Sequence, residues 1–387
     1  MGSTRVYLDF NAATPIDPRV REEYNKILER GWANSSSTHQ EGQKAKAILA
    51  EARARIASCF SVRPKQVIFF STATEALNTL LRGLFVRGSH ASIITSPVEH
   101  AAVYEPCKRL EQEGHDIHFL PVGTFGAVRP EQVLEAMTPA TTGIALMSVN
   151  NETGVMTDIE GVAAIAAANK IPLLVDGVAQ LGKAPFTLFQ GVSAIVFCSP
   201  KIYAPVGVGF AILNTGITIQ PLVYGGGQEF GLRSGSENVA AIHATSIAVE
   251  LLFREASESI ASMTALRDYF EKRLMDALPC VRINGDGPRV SNTSNIAFEG
   301  ISGEDLLIQL DLAGVAASLG AACSAGALEP SRILLMMGYP TARSRSSLRF
   351  SLGKQTTKEG IDYAVNAIVK NVMAPKQLQE EWSANKK

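Results

Sequence analysis

Residues 172–201 read PLLVDGVAQLGKAPFTLFQGVSAIVFCSPK, and two apolar runs of strand length within them, 172–176 and 194–198, decide the fold. Similar runs occur at 66–70, 91–95, 116–121, 143–148 and 209–213. Helical patterns fall between them at 75–86, 102–112, 130–137 and 159–169. Strands that alternate with helices predict an α/β fold with a mostly parallel sheet covered by helices on both faces. Sites in such sheets lie beyond the carboxyl ends of the strands. Both quoted runs end there on a reactive residue: Asp176 closes the first, and Lys201 follows the second by three residues.

At 387 residues the chain is too long for one ordinary domain. A large domain is expected over 14–255, with a smaller α+β domain formed by 1–13 and 256–387. A helix beginning near Glu237 is predicted to run, with a break, to about Phe253, before a second helix over 260–278. Strand-like pieces at 281–283, 293–298, 315–318 and 348–351 then mix with helices at 302–312, 331–337 and 358–370.

Charge is balanced, with 36 basic and 37 acidic residues, so no electrostatic footprint for nucleic acid or an anionic membrane is expected. No apolar run approaches the roughly 20 residues of a membrane span. The start, MGSTRVYLDF, carries no basic-then-apolar signal and reads directly into a strand. Cys59, Cys107, Cys198, Cys280 and Cys323 are scattered without a CxxC pair, which argues against a disulfide framework and a zinc site. The expected compartment is the cytoplasm.

Three features carry chemistry. Lys201 leaves an apolar strand just before a glycine-rich turn; desolvation there favours the neutral amine that can bond an aldehyde carbon. Asp176 ends a neighbouring strand, 25 residues earlier, where a carboxylate can pair with a pyridinium nitrogen. FFSTATEALN passes from strand to helix, and unpaired amides at that helix start suit a phosphate, although Ser/Thr-x-x-Glu is also a plain capping box.

The ordered segments YLDFNAATP, NSSSTHQEG, FFSTATEALN, VEHAAV, VNNETGV, LLVDGVAQLGK, SPKIYAPVGVG, GGGQEFGLRSGSEN, GAACSAGALEPS and SLRFSLGK span the chain. Together they resemble the pyridoxal-phosphate-dependent cysteine desulfurases of the NifS/IscS kind, in the class V aminotransferase family of fold type I. The resemblance implies pyridoxal 5'-phosphate as cofactor, L-cysteine as substrate and Cys323 as the nucleophile that takes the sulfur as a persulfide. It implies that Lys201 bonds the cofactor, Asp176 pairs with its ring nitrogen, and His100 stacks on the ring and moves protons. Ala73 and Thr74 match the phosphate-binding helix start, and Asn151 the contact to the ring oxygen. Ser236 stands where the family has a threonine that reaches the neighbouring subunit's phosphate, which implies a homodimer. Arg349 resembles the clamp on the substrate carboxylate, assisted by Asn34. The sulfur would pass to an acceptor protein such as an iron–sulfur scaffold.

Departures from the family pattern are local. The usual Ser-x-His-Lys is Cys198-Ser199-Pro200-Lys201, which leaves Ser199 as the hydroxyl expected to compensate beside Cys198. The usual Gln is Ala179, with Gln180 one step later, and one step can reverse a side chain's direction. Thr72, Ala204, Val206 and Phe230 also replace family residues. The expectation is a divergent member with weaker cofactor retention, altered rate or a partner requirement. Rival readings are selenocysteine lyase or cysteine-sulfinate chemistry on the same scaffold, or an assembly partner that has lost catalysis.

Overall fold

The computed structural model describes residues 5–86, 88, 90–320 and 329–384, so Cys323 lies outside the described residues. The chain opens on a short strand, β1 (Val6–Tyr7). Strands β2 (Val67–Phe70), β3 (Ser92–Thr95), β4 (Asp116–Phe119), β5 (Gly143–Met147), β6 (Leu173–Asp176), β7 (Val192–Cys198) and β8 (Gly209–Leu213) form one sheet in the order β2-β8-β7-β6-β5-β3-β4. The pairs from β4 through β7 are parallel, whereas β8 runs antiparallel to both β7 and β2.

Period-two alternation divides the sheet into two apolar faces. Leu173 and Val175 of β6 face one core with Phe69, Ile144, Leu146, Ile195, Phe197 and Phe210. Leu174 faces the other, with Ile68, Phe70, Ala145, Val196 and Cys198. Helices α1 (Pro18–Arg30) and α2 (Gln40–Cys59) precede the sheet in the chain and were not legible as elements from apolar periodicity. Their signals are the Asp17 cap with Pro18 in the first turn, and an alanine-rich run in α2. Between strands run α3 (Ala73–Phe85), α4 (Ala101–Gln112), α5 (Pro130–Ala136) and α6 (Ile159–Asn169).

The largest departure from the sequence expectation is α7 (Val239–Ala277), a single helix of 39 residues rather than two. No Gly or Pro interrupts residues 253–260, so the change of character there is one of burial only. At 1.5 Å per residue the helix is about 58 Å long. Its first half packs Ala241, Ile242, Ala248 and Leu252 into the large-sheet core. Its second half packs Met263, Phe270 and Leu274 into a separate core with Val6, Leu8, Phe298, Phe350 and Ile361.

That second core is built on β9 (Val281–Ile283), β10 (Thr293–Phe298), β11 (Val315–Ala316) and β12 (Ser347–Ser351). β12, β10 and β9 form an antiparallel sheet, and β11 pairs in parallel with β1. Residues Ile333, Leu334 and Met337 cross back to pack on the large-sheet core, directly after the undescribed segment 321–328.

Candidate active site

Alternation places Asp176 on the same sheet face as Leu174, and Cys198 on the face of Val196. That is the face covered by α3 and α4. A cavity of about 230 Å³ opens there, at the carboxyl ends of β5, β6 and β7, against the starts of both helices.

The carboxyl of Asp176 accepts a hydrogen bond from the Val178 amide at 3.0 Å. Burial raises its pKa, and the nearby His100 and Lys201 pull it down. A cationic ring nitrogen in the cavity would relieve the cost of burying this charge. Lys201 closes a short turn, Ser199–Lys201, and is half-buried; its Nζ donates to the carbonyl of Ala12. His100 caps α4, and its Nδ1 accepts from the Ala102 amide at 3.1 Å, which puts the ring proton on Nε2.

The helix-start cradle has a specific construction. Thr72 caps α3 by accepting from the Glu75 amide at 3.0 Å. Glu75 in turn accepts from the Ser71 amide at 2.7 Å and from Arg233 Nε at 2.8 Å. Ala73 and Thr74, in the first turn, line the cavity. Gly209 of β8 lets that turn sit close, since a Cβ there would lie 2.3 Å from the Thr72 carbonyl carbon.

Arg349 is 2 % exposed and lies in the cavity wall. It is tied to Asp9 at 2.7 Å and to the Asn151 carbonyl at 3.1 Å, while its Nε has no partner among the described residues. Asn151 Oδ1 and Lys183 Nζ are likewise buried without a partner among the described residues.

The cavity thus brings together Ala73, Thr74, His100, Asn151, Asp176, Cys198, Lys201 and Arg349. Four further candidates lie elsewhere. Ser199 is fully buried, with its hydroxyl turned onto the carbonyls of Pro205 and Val208, the latter at 3.0 Å, so it does not replace the missing hydroxyl. Gln180 donates to the Pro185 carbonyl at 3.3 Å and is outside the cavity wall, where Ala179 stands instead. The one-residue shift turns the amide away. Asn34 is exposed and accepts from the Ser36 amide at 2.8 Å. Ser236 is exposed on the loop before α7. The thiol of Cys198 does reach the wall, and burial pushes its pKa up to about 11.

Sequence reasoning missed Asn11, Ala12, Lys183 and Glu99. Asn11 links three segments, donating to Thr293 Oγ1 at 2.9 Å and to the Asn151 carbonyl, and accepting from Asn292. Glu99 lies beneath the site, accepting from Ser96 Oγ at 2.6 Å and the Met147 amide at 2.7 Å. Burial raises its pKa to about 8, helped by Asp176. Arg332 donates to the Glu99 carbonyl at 2.7 Å and stacks over Tyr104, anchoring the chain beyond the undescribed segment beside His100.

The residues present fit pyridoxal phosphate. A buried acid, a lysine, a helix-start cradle and three buried polar atoms without a partner among the described residues converge on one space.

Comparison with known proteins agrees with this architecture. The family described as aminotransferase class-V matches residues 6–364. The chain is 37% identical to a protein named cysteine desulfurase IscS from Dictyoglomus turgidum, over 99% of each chain. It is 34% identical to cysteine desulfurase NifS of Azotobacter vinelandii, over 98% of this chain and 96% of that one. A solved structure described as a NifS-like protein superimposes with a TM-score of 0.88 at 32% identity, covering 95% of this chain and 99% of its own.

Proposed function

The chain belongs to the aminotransferase class-V family, in which it is a pyridoxal-phosphate-dependent cysteine desulfurase, and on that premise we propose which of its residues do the work. The observation that carries the assignment is the convergence of buried Asp176, Lys201 and the first turn of α3 on one cavity.

When bound, the cofactor supplies an electron sink that loosens the substrate's Cα proton and its C–S bond. Lys201 would hold the cofactor aldehyde and would carry the Cα proton on its Nζ, which the Ala12 carbonyl orients. Asp176 would pair with the ring nitrogen, whose positive charge would offset the cost of burying the carboxylate. His100, fixed through Nδ1, would cover the ring and hold its proton on Nε2. The amides of Ala73 and Thr74 take the phosphate at the positive end of α3. Arg349, held by Asp9, clamps the substrate carboxylate.

Cys323 attacks the substrate sulfur. The C–S bond breaks as the S–S bond forms, so L-cysteine and the Cys323 thiol become L-alanine and a Cys323 persulfide. An acceptor protein such as an iron–sulfur scaffold then takes the outer sulfur, in the cytoplasm. No helix among the described residues is long and apolar enough to cross a membrane. The division we infer is a large lobe over 14–255 and a small lobe over 1–13 and 256–387, joined by α7, whose two halves pack into different cores, with Phe10 and Ile333, Leu334 and Met337 reaching from the small lobe into the large-sheet core. Two copies pair, so that Ser236, exposed and outside its own chain's cavity, serves the partner's phosphate.

Mass spectrometry after incubation with L-cysteine tests the reaction. One added sulfur on the peptide carrying Cys323 is the expected result. Alanine production undiminished in Cys323→Ala would rule the persulfide route out.

A further inference from the structure

We propose that Lys183 is an additional cofactor ligand, its ammonium taking an anionic oxygen of bound pyridoxal phosphate and supplying charge that positions 198 and 200 lack. The inference rests on the cofactor reading above and adds a residue to it.

Lys183 closes the motif LLVDGVAQLGK, at the end of the turns that follow β6. Its backbone is fastened on both sides. The amide donates to the Gln180 carbonyl at 2.9 Å, and the carbonyl accepts from the Ser291 amide at 3.1 Å and from Ser291 Oγ at 2.7 Å. The residue is 5% exposed and forms part of the cavity wall. Its Nζ has no hydrogen-bond partner among the described residues. A buried ammonium with three donors and no acceptor partner is costly, and long lysine side chains ordinarily bring the charge to water. Here the anchored turn directs it to the cavity instead.

The groups acting on it explain what is missing. Beyond burial, Lys201 and Arg349 both act to lower its pKa, and burial pushes the neighbouring Cys198 thiol up to about 11. Burial and then Lys201 lower the Lys183 pKa to about 7. Asp176, the acid in the wall, is reserved for the ring nitrogen in the reading above, and Asp9, beside the wall, is engaged by Arg349. An anion must therefore come with whatever fills the cavity. Pyridoxal phosphate carries two candidates, its phosphate and its ring oxygen. The chain also needs such a contact: Pro200 has no donor, Ser199 faces backbone carbonyls, and the Cys198 thiol is a weak donor.

Titrating the cofactor-free full chain with pyridoxal phosphate, and in parallel with pyridoxal, tests the proposal. Lys183→Met should weaken pyridoxal phosphate binding by about tenfold or more, the worth of a charge-assisted hydrogen bond. Loss confined to pyridoxal phosphate assigns the contact to the phosphate; equal loss with pyridoxal assigns it to the ring oxygen. Calorimetry at pH 8 in buffers of different ionisation enthalpy should show the wild type taking up close to one proton more than the variant, because the amine becomes an ammonium on loading. Thermal unfolding of the cofactor-free variant should match or exceed the wild type, since an orphaned amine is removed; Lys183→Gln repeats the titration should Lys183→Met not fold. Unchanged affinity with unchanged proton uptake overturns the proposal, as does unchanged affinity with a raised KM for cysteine, which would hand the amine to the substrate carboxylate. Failure of the wild type itself to bind pyridoxal phosphate would instead overturn the cofactor reading.

Discussion

Glu99, buried next to the strand end that carries Asp176, ties the stability of the fold to pH. Its folded pKa of about 8 stands above the ordinary 4.5, so the folded chain holds a proton that the unfolded chain releases between those values. The stability contributed by the neutral acid is fully present below pH 4.5 and is lost as pH rises toward 8. Gln presents the same shape without a proton to lose: its oxygen can accept from the Met147 amide and its nitrogen can donate to Ser96 Oγ. Glu99→Gln is therefore expected to gain on the wild type from pH 5 to 8, by at most about 1.4 kcal/mol per pH unit. Urea unfolding midpoints across that range check it, and parallel curves for the two proteins would refute it. Glu99 was visible in the sequence only as half of a Glu-His pair. Nothing local distinguishes an acid placed under a strand end from one in solvent.

At the scale of elements, the strands and the helices between them were legible because each carries its own periodicity. The seven strands of the large sheet fall within two residues of the expected limits at either end. Two things were not legible. The antiparallel course of β8 depends on a short connection, Ser199–Val208, which the apolar run itself does not encode. The continuity of α7 depends on which core each half meets. Gly209 belongs to this scale, because it sets the distance between β8 and the first turn of α3. Its substitution by Ala places a Cβ against Thr72 backbone, which cannot rotate aside. The expected cost is about 1–3 kcal/mol of overpacking strain, with faster loss of cofactor because the cradle must move. Thermal unfolding with equilibrium dialysis checks both, and cofactor retention equal to the wild type's would show that the cradle tolerates displacement.

Across the whole molecule, the proposed pairing of two copies makes a prediction at the exposed apolar residues that precede Ser236. Tyr224 is 81% exposed, and Leu222, Val223 and Phe230 are exposed on the same segment between β8 and α7, which also carries Ser236. Large apolar surfaces of this kind mark contact sites. Tyr224→Glu is expected to shift the protein toward monomer in sedimentation and to weaken cofactor retention together, since Ser236 would lose the neighbouring phosphate. A dimer that persists at low micromolar concentration would place the interface elsewhere. By itself, the amino-acid order determined the alternation of strands and helices, the sheet's mostly parallel character and the pairing of an acid with a lysine at strand ends, because these follow from spacing along one segment. Tertiary structure alone decided that the Ser199 hydroxyl turns to backbone carbonyls, that Gln180 faces away, and that Lys183 ends in the cavity without a partner among the described residues. Side-chain direction and burial there are set by contacts such as Lys183 with Ser291, more than a hundred residues apart, and no local pattern carries that information.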